Sequence, residues 1–332
     1  MELNKIIQGN CLTVLKTLPD NSVDCCITSP PYWGLRDYGH DEQLGGESDF
    51  KQFVINLSNV FDEVKRVLKP TGTCFVNLGD TYASGARAKN GADVNTNDPK
   101  NPNANRSKVA PNRMGCGLPE KCLCLVPERF SIEMIDRGWI LRNTIIWHKP
   151  NQMPQSATDR FTVDFEKIFF FVKKSTGYYF EQQLEPAVGY DGRKELNYNG
   201  GNKDVSIGKH TRWKKHKNTN DDKGQKPNSM HLKREMGVPD ENYFERNIRT
   251  TWSVNTEPYS DAHFATYPQR LVERMIKAGC PENGVVIDPF FGSGTTGIYA
   301  RKVNRNFVGI ELNPEYVEIA NKRLFKELGM FS

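Results

Sequence analysis

The sequence predicts an α/β protein built on a circularly permuted, doubly wound sheet, and three observations carry that prediction. Residues 285–312, VVIDPFFGSGTTGIYARKVNRNFVGIEL, read as strand, glycine turn, helix, strand and acid, the plan of half a nucleotide-binding sheet. That half lies near the C-terminus, and the residues after Glu311 suffice for one helix and no further strand. The remaining strand candidates stand upstream, between Val23 and Lys174, so one sheet has to be closed by strands from both ends of the chain.

Taken in order, the upstream elements begin with Val23–Thr28, VDCCIT, a buried-strand candidate. It ends abruptly in Ser29-Pro30-Pro31-Tyr32-Trp33, where two prolines forbid further ladder bonding. Residues just past the carboxyl ends of strands commonly carry function in open α/β sheets. A polar loop over 34–46 leads to Ser48 or Asp49, which caps a helix whose apolar residues Phe50, Phe53, Leu57, Val60, Val64 and Leu68 keep helical spacing. Pro70-Thr71-Gly72 stops that helix, and 73–78 is the next strand. From about residue 82 to 117 the pattern dissolves into Asn, Gly, Pro, Ala, Lys and Arg, a long polar loop. A helix over 123–137 ends at Gly138, and 139–148 and 166–174 read as two strands, the second almost wholly apolar. Residues 175–249 form a second irregular region. A helix over 268–278 starts on a proline, has Gly279 at its exit and leads into the glycine stretch. The last helix is 314–328.

Composition bounds the rest. The chain has 332 residues, 37% of them hydrophobic, and its mean hydropathy is −0.64, so sizeable polar loops are expected around one core. The net charge of +5 is modest, but basic residues gather in the middle of the chain. No segment is long and apolar enough for a membrane span, and MELNKIIQGN lacks the apolar core of a secretory signal. The expectation is a soluble, cytoplasmic protein with no membrane partner. Of eight cysteines, Cys116, Cys122 and Cys124 cluster without the paired spacing of a zinc site, and Cys25 and Cys26 lie in an apolar run. Buried or incidental thiols and no metal are expected.

Gly292-Ser-Gly294-Thr-Thr-Gly297 also reads as the dinucleotide fingerprint of a dehydrogenase. Its position at the end of the chain argues against that reading, because such folds begin with this unit and continue.

TSPPYW at Thr28–Trp33 and DPFFGSGTT at Asp288–Thr296, in that order, resemble the β-group DNA amino-methyltransferases, enzymes that use S-adenosylmethionine to methylate N4 of cytosine or N6 of adenine. The resemblance spans nearly the whole chain and includes VLKPTG at 67–72, GWILRNTIIWHKPN at 138–151 and IELNPEY at 310–316. It implies a Rossmann-like methyltransferase sheet, S-adenosylmethionine as cofactor and double-stranded DNA as partner. It assigns Ser29, Pro30, Pro31 and Tyr32 to catalysis. For the cofactor it carries Asp288, Phe290, Gly292, Gly294 and Thr295 to the methionine end and Glu311 to the ribose. Relatives usually have Gly-Asp near the N-terminus, where the acid meets the adenine amine; here Gly9-Asn10 stands, and Asn10 would accept through its amide oxygen. HFATYP at 263–268 resembles the segment that closes over the cofactor, which brings in His263. Many relatives have His-Glu where this chain has Phe165-Glu166, and Phe165 is either a core residue or a second ring against the base.

The chemistry agrees with the resemblance. An exocyclic amine is a poor nucleophile because its lone pair is delocalised into the ring. Fixed acceptors facing its two hydrogens, Ser29 Oγ and the Pro30 carbonyl, favour the pyramidal nitrogen that attacks. Tyr32 would stack on a base flipped out of the duplex. The enzyme mainly positions nitrogen, methyl carbon and sulfur in line, and the product's extra proton leaves to water. Cytosine C5 methylation is disfavoured, since it needs a nucleophilic cysteine, usually in Pro-Cys, and the chain has no such pair.

The resemblance further divides the chain into a catalytic half, 1–174, with its polar loop 82–117, a target-recognition insert, 175–249, and a cofactor-binding half, 250–332. Within the insert, KHTRWKKHK supplies Lys209, Arg212, Trp213, Lys214, Lys215 and Lys217 as a DNA-phosphate stripe. Ser29 tips the target toward cytosine N4, because Asp or Asn in its place tends toward adenine; adenine N6 is the alternative. A catalytically silent DNA-binding relative and a nicotinamide dehydrogenase are the readings from other classes. A cognate restriction endonuclease is a candidate partner.

Overall fold

The first strand is one that the periodicity of the sequence does not announce. Lys5–Gln8 (β1) has four residues, after which Gly9-Asn10 turn the chain into the short helix Cys11–Thr17 (α1). Val23–Thr28 (β2) follows as expected and is buried at every residue, the mark of a strand covered on both faces. Its acid, Asp24, is paired: Lys69 Nζ donates to both carboxylate oxygens at 2.8 and 2.9 Å, and the Val285 N–H donates to Oδ2 at 2.9 Å. Asp49 caps Phe50–Val67 (α2), which buries Phe50, Phe53, Leu57, Val60 and Val64 on one face.

The stop expected at Pro70-Thr71-Gly72 takes a different form. The helix ends at Val67, and Leu68–Leu78 (β3) begins at once, with those three residues inside it. Pairing between β2 and β3 jumps from Val23–Leu68 to Cys25–Thr73. The residues between bulge out of the ladder, where the missing N–H of Pro70 costs no bond. Val126–Asp136 (α3) is shorter than the sequence suggests, since Leu125 turns into the left-handed region and Pro127 occupies the first turn. Gly138, at φ +80°, closes its far end.

Ile140–His148 (β4) and Phe165–Val172 (β5) pair antiparallel along their length. Leu184–Pro186 (β6) and Glu245–Asn247 (β7) form a separate two-stranded sheet. Thr251–Ser253 (β8) precedes the helix Gln269–Gly279 (α4). Gly279 is its last helical residue, and a Cβ there would lie 2.5 Å from Thr73 Oγ1. The C-terminal run is Val285–Asp288 (β9), Thr295–Lys302 (α5), Asn306–Glu311 (β10) and Pro314–Leu328 (α6).

These elements come from a computed structural model that describes residues 1–34, 42–83, 117–186, 245–256 and 268–329. It divides into two units, residues 1–181 with 250–332, and residues 182–249. In the first unit the eight strands run β1-β10-β9-β2-β3-β5-β4-β8. Strands β1, β10, β9, β2 and β3 are parallel, β5 is antiparallel to both neighbours, and β8 is parallel to β4. The C-terminal strands do not merely abut the upstream set; they enter it between β1 and β2. The permuted, doubly wound sheet is therefore present, with α1, α2 and α3 packed together as one helix group and α4, α5 and α6 as another. No described helix is long and apolar enough to cross a membrane. The topology sends the carboxyl ends of the parallel strands to one edge, and β5, running the other way, brings its first residues there too.

Candidate active site

A cavity of about 580 Å³ opens along that edge, within the first unit. Each strand contributes the residues at its exit. Gly9-Asn10 come after β1, Ser29 to Tyr32 after β2, Lys149 after β4, Thr256 after β8 and Pro289 to Gly292 after β9. Asn77, Asp288 and Glu311 stand at the ends of β3, β9 and β10, and Glu166 enters at the start of β5.

One end of the cavity is built by the glycine turn. Asp288 is buried and accepts from Thr28 Oγ1 and Thr296 Oγ1, each at 2.6 Å, and from the Phe290 N–H at 3.0 Å. Burial outweighs these donors and pushes its carboxyl up to about 6. Glu311 Oε2 accepts from the Gly292 N–H at 2.7 Å and Oε1 from the Asn313 N–H at 2.9 Å. Its carboxyl too is raised by burial, against the pull of those backbone donors. The acid at the end of the second strand thus braces the turn that brings backbone into the cavity. Gly294 does not line the cavity; it begins α5 at φ +86°, and a Cβ there would press on Ala320 at 3.1 Å. Thr295 does line it, but its hydroxyl receives Arg323 Nη1 at 3.1 Å. The third glycine of the fingerprint has a packing reason: a Cβ on Gly297 would lie 2.6 Å from the Phe291 ring, which stacks on Phe307. Asn10 also departs from expectation. Its side-chain oxygen caps α1, accepting from the N–H groups of Leu12 and Thr13 at 3.0 and 3.3 Å, so its remaining polar atom is the donor Nδ2.

The other end is built around Tyr32. Its ring lies so close to Gly79 that a Cβ there would collide with the ring edge. Its hydroxyl donates to Glu166 Oε2 at 2.5 Å and receives Asn77 Nδ2 at 3.1 Å, while Ser29 Oγ stands 3.5 Å away. Asn77 Nδ2 also donates to Glu166 Oε2 at 2.7 Å, and Lys149 Nζ donates to Glu166 Oε1. Lys149 Nζ lies 4.4 Å over the ring of Trp147, whose Nε1 is fixed by the Val254 carbonyl at 2.8 Å. Trp33 turns away into the core, donating to the Glu47 carbonyl and packing edge-on against Phe50.

Asn77, Lys149 and Glu166 were missed by sequence reasoning. A signal existed: each is a polar residue at or next to a terminus of a strand candidate. Phe165 is not a core residue, since it is exposed and lies under the Lys167 ammonium. His263 and the run from Lys209 to Lys217 lie outside the described residues. The cysteine that lines the cavity, Cys11, has its thiol pushed up to about 12 by burial, which leaves it protonated and a poor nucleophile. Among the described residues Cys25, Cys26, Cys74, Cys124 and Cys280 are buried.

A permuted doubly wound sheet, a glycine turn under two carboxylates, and a Ser-Pro-Pro-Tyr turn on the same cavity define a class: an S-adenosylmethionine-dependent methyltransferase. The acceptor-only carboxylates suit a cofactor that brings a sulfonium, an ammonium and a pair of ribose hydroxyls.

The family follows from comparison with known proteins. The DNA methylase family of N6 and N4 amino-methyltransferases matches residues 23–322, and the chain belongs to it. It is 40% identical over 326 residues to the Type II methyltransferase M.Cfr9I of Citrobacter freundii, covering 98% of this chain and 89% of that one. It is 36% identical to the Type II methyltransferase M.SmaI of Serratia marcescens, covering 97% and 91%. Among solved structures, the fold is similar to PvuII DNA methyltransferase, described as cytosine-N4-specific, with a TM-score of 0.58 at 18% identity over 96% of this chain and 85% of that one. It is also similar to a DNA modification methylase of Thermus thermophilus solved with S-adenosyl-L-methionine, with a TM-score of 0.54 at 21% identity over 98% and 97%. The protein is a Type II DNA methyltransferase of the amino-methylating group, and the dehydrogenase reading falls.

Proposed function

We propose that the enzyme methylates N4 of cytosine, flipped out of a short specific duplex sequence. The observation that carries this reading is Ser29: a neutral hydroxyl stands at the cavity where an acid or amide would favour adenine. The cytosine-N4 specificity stated for PvuII DNA methyltransferase supports it. In this reading Ser29 Oγ and the Pro30 carbonyl accept the two amine hydrogens, Pro31 fixes the turn and Tyr32 stacks on the base. Asp288, Phe290, Gly292 and Thr295 hold the methionine end of the cofactor with Gly294 shaping the turn from behind, Glu311 accepts from the ribose, Asn10 meets the adenine, and the segment with His263 closes over the cofactor. Asn10 then meets the adenine through its donor Nδ2, a change from the acceptor role its place in the motif suggests. When bound, the cofactor supplies an electrophilic methyl group on sulfur. Nucleoside mass spectrometry of duplex DNA incubated with enzyme and S-adenosylmethionine tests the target. N4-methylcytosine is expected; N6-methyladenine as the sole product refutes it.

Residues 175–249 are proposed as the target-recognition region between the catalytic half, 1–174, and the cofactor half, 250–332. The stripe of Lys209, Arg212, Trp213, Lys214, Lys215 and Lys217 within it would track DNA phosphates. The Type II relatives favour a restriction endonuclease of the same specificity as partner, in the cytoplasm. Mapping the methylated sequence and challenging that DNA with an endonuclease that cuts it tests the pairing, and cleavage of fully methylated DNA would count against it.

A further inference from the structure

We infer that Glu166, clamped by Lys149 and Asn77, orders the hydroxyl hydrogens of Tyr32 and Ser29 so that Ser29 Oγ meets the base amine as an acceptor. The inference rests on the reading that puts Ser29 at the target amine. That amine arrives with two N–H donors. A serine hydroxyl is donor and acceptor at once, and its hydrogen has to be directed elsewhere if the lone pairs are to face the amine.

The structure supplies the direction. Tyr32 Oη lies 3.5 Å from Ser29 Oγ and is a recipient for the serine hydrogen. Links of this kind are often long before substrate binds. A phenol oxygen receives well only if its own hydrogen is committed away, and that of Tyr32 is committed to Glu166 Oε2 at 2.5 Å. This bond has one possible sense, because a carboxylate only accepts. Asn77 reinforces it: the same Nδ2 donates to Tyr32 Oη at 3.1 Å and to Glu166 Oε2 at 2.7 Å, so the amide presents hydrogens to both. Lys149 Nζ donates to the other carboxylate oxygen, and its ammonium is in turn held over Trp147. The Lys149 and Glu166 side chains are only 13% and 16% exposed, so neither charge is easily left without the other. Every hydrogen therefore runs one way, from Ser29 to Tyr32 to Glu166. Glu166 acts through Tyr32 and is a positioning residue.

The test is a double-mutant cycle read in single turnovers at saturating S-adenosylmethionine and cognate duplex, with cofactor and DNA affinities measured alongside. Tyr32→Phe keeps the ring and removes the link. Glu166→Gln keeps the size, but its amide N–H can point at Tyr32 and reverse the chain. Each is expected to slow methyl transfer at least tenfold, with both affinities within about threefold of wild type. Because they act on one chain, the double variant should be no slower than the slower single variant. Glu166→Asp, which keeps an acceptor, should retain more rate than Glu166→Gln. A double variant slowed by the product of the single effects overturns the inference, as does wild-type turnover in Glu166→Gln. Ser29→Ala separates the two levels. A wild-type rate there refutes the placement of Ser29 at the amine, whereas a slow Ser29→Ala beside an unaffected Glu166→Gln refutes the ordering alone.

Discussion

Asp288→Asn gives the most direct measure of how the glycine turn holds its charge. Asp288 is 3% exposed, and three donors at 2.6, 2.6 and 3.0 Å favour its ionised form. Burial still wins and pushes the carboxyl up to about 6, from an ordinary value of 3.8. The folded protein thus holds this proton more tightly than the unfolded chain does. The resulting stabilisation is fully present below about pH 4 and is lost as pH rises through about 6. A shift of about two units at about 1.4 kcal/mol each amounts to about 3 kcal/mol. Asparagine has nearly the same shape, keeps an oxygen for the Phe290 N–H and does not titrate. Urea unfolding at a series of pH values should show the variant gaining about 3 kcal/mol on wild type between about pH 4 and pH 7. Taking the difference cancels every group common to both proteins. A difference that stays flat across that window would refute the raised carboxyl. In the proposed reading, wild-type affinity for S-adenosylmethionine also tightens as pH rises through about 6, and that of the variant does not.

Three further outcomes are expected. Tyr32→Ala should leave cofactor affinity near wild type but slow turnover, since lost stacking raises the cost of holding the base out by roughly 1–3 kcal/mol; unchanged turnover at saturating DNA would remove Tyr32 from the base pocket. Glu311→Ala should weaken S-adenosylmethionine binding by about 1.5–3 kcal/mol, the scale of hydrogen bonds to a charged group, as read by calorimetry. It should also lower the melting temperature, because Gly292 and Asn313 lose their acceptor; unaltered affinity in a folded variant would refute the ribose assignment. Replacing Lys214, Lys215 and Lys217 with Ala should flatten the slope of log K against log salt by about 2.7 without changing the preferred sequence. An unchanged slope on cognate and scrambled duplexes would mean that this run is merely solvated.

Much of the site was legible because its parts are local. Two prolines after an apolar run mark the end of β2 and put Ser29 and Tyr32 at the sheet edge. Two glycines between Asp288 and Thr295 mark the turn, and the acid ending the next apolar run is Glu311. Asp49 before a helical stripe marks the start of α2. In each case a few neighbouring residues fix the backbone by their own stereochemistry, so the pattern carries the answer.

What the sequence could not decide was how distant segments meet. KIIQ has no periodicity worth reading, and it becomes β1 only because Asn306–Glu311 lies beside it to pair with. The oxygen of Asn10 is taken by a helix start that no motif marks. Asn77 is far along the chain from Lys149 and Glu166, which are 17 residues apart. They converge because β5 runs antiparallel between β3 and β4, which sets its first residues beside the last residues of its neighbours. The order of elements determined the class of fold, and the resemblance carried by two motifs supplied the chemistry expected at the strand ends. Only the alignment of strands decided which side chains share a hydrogen bond, because pairing across a sheet depends on register between segments whose separation in sequence carries no local signal.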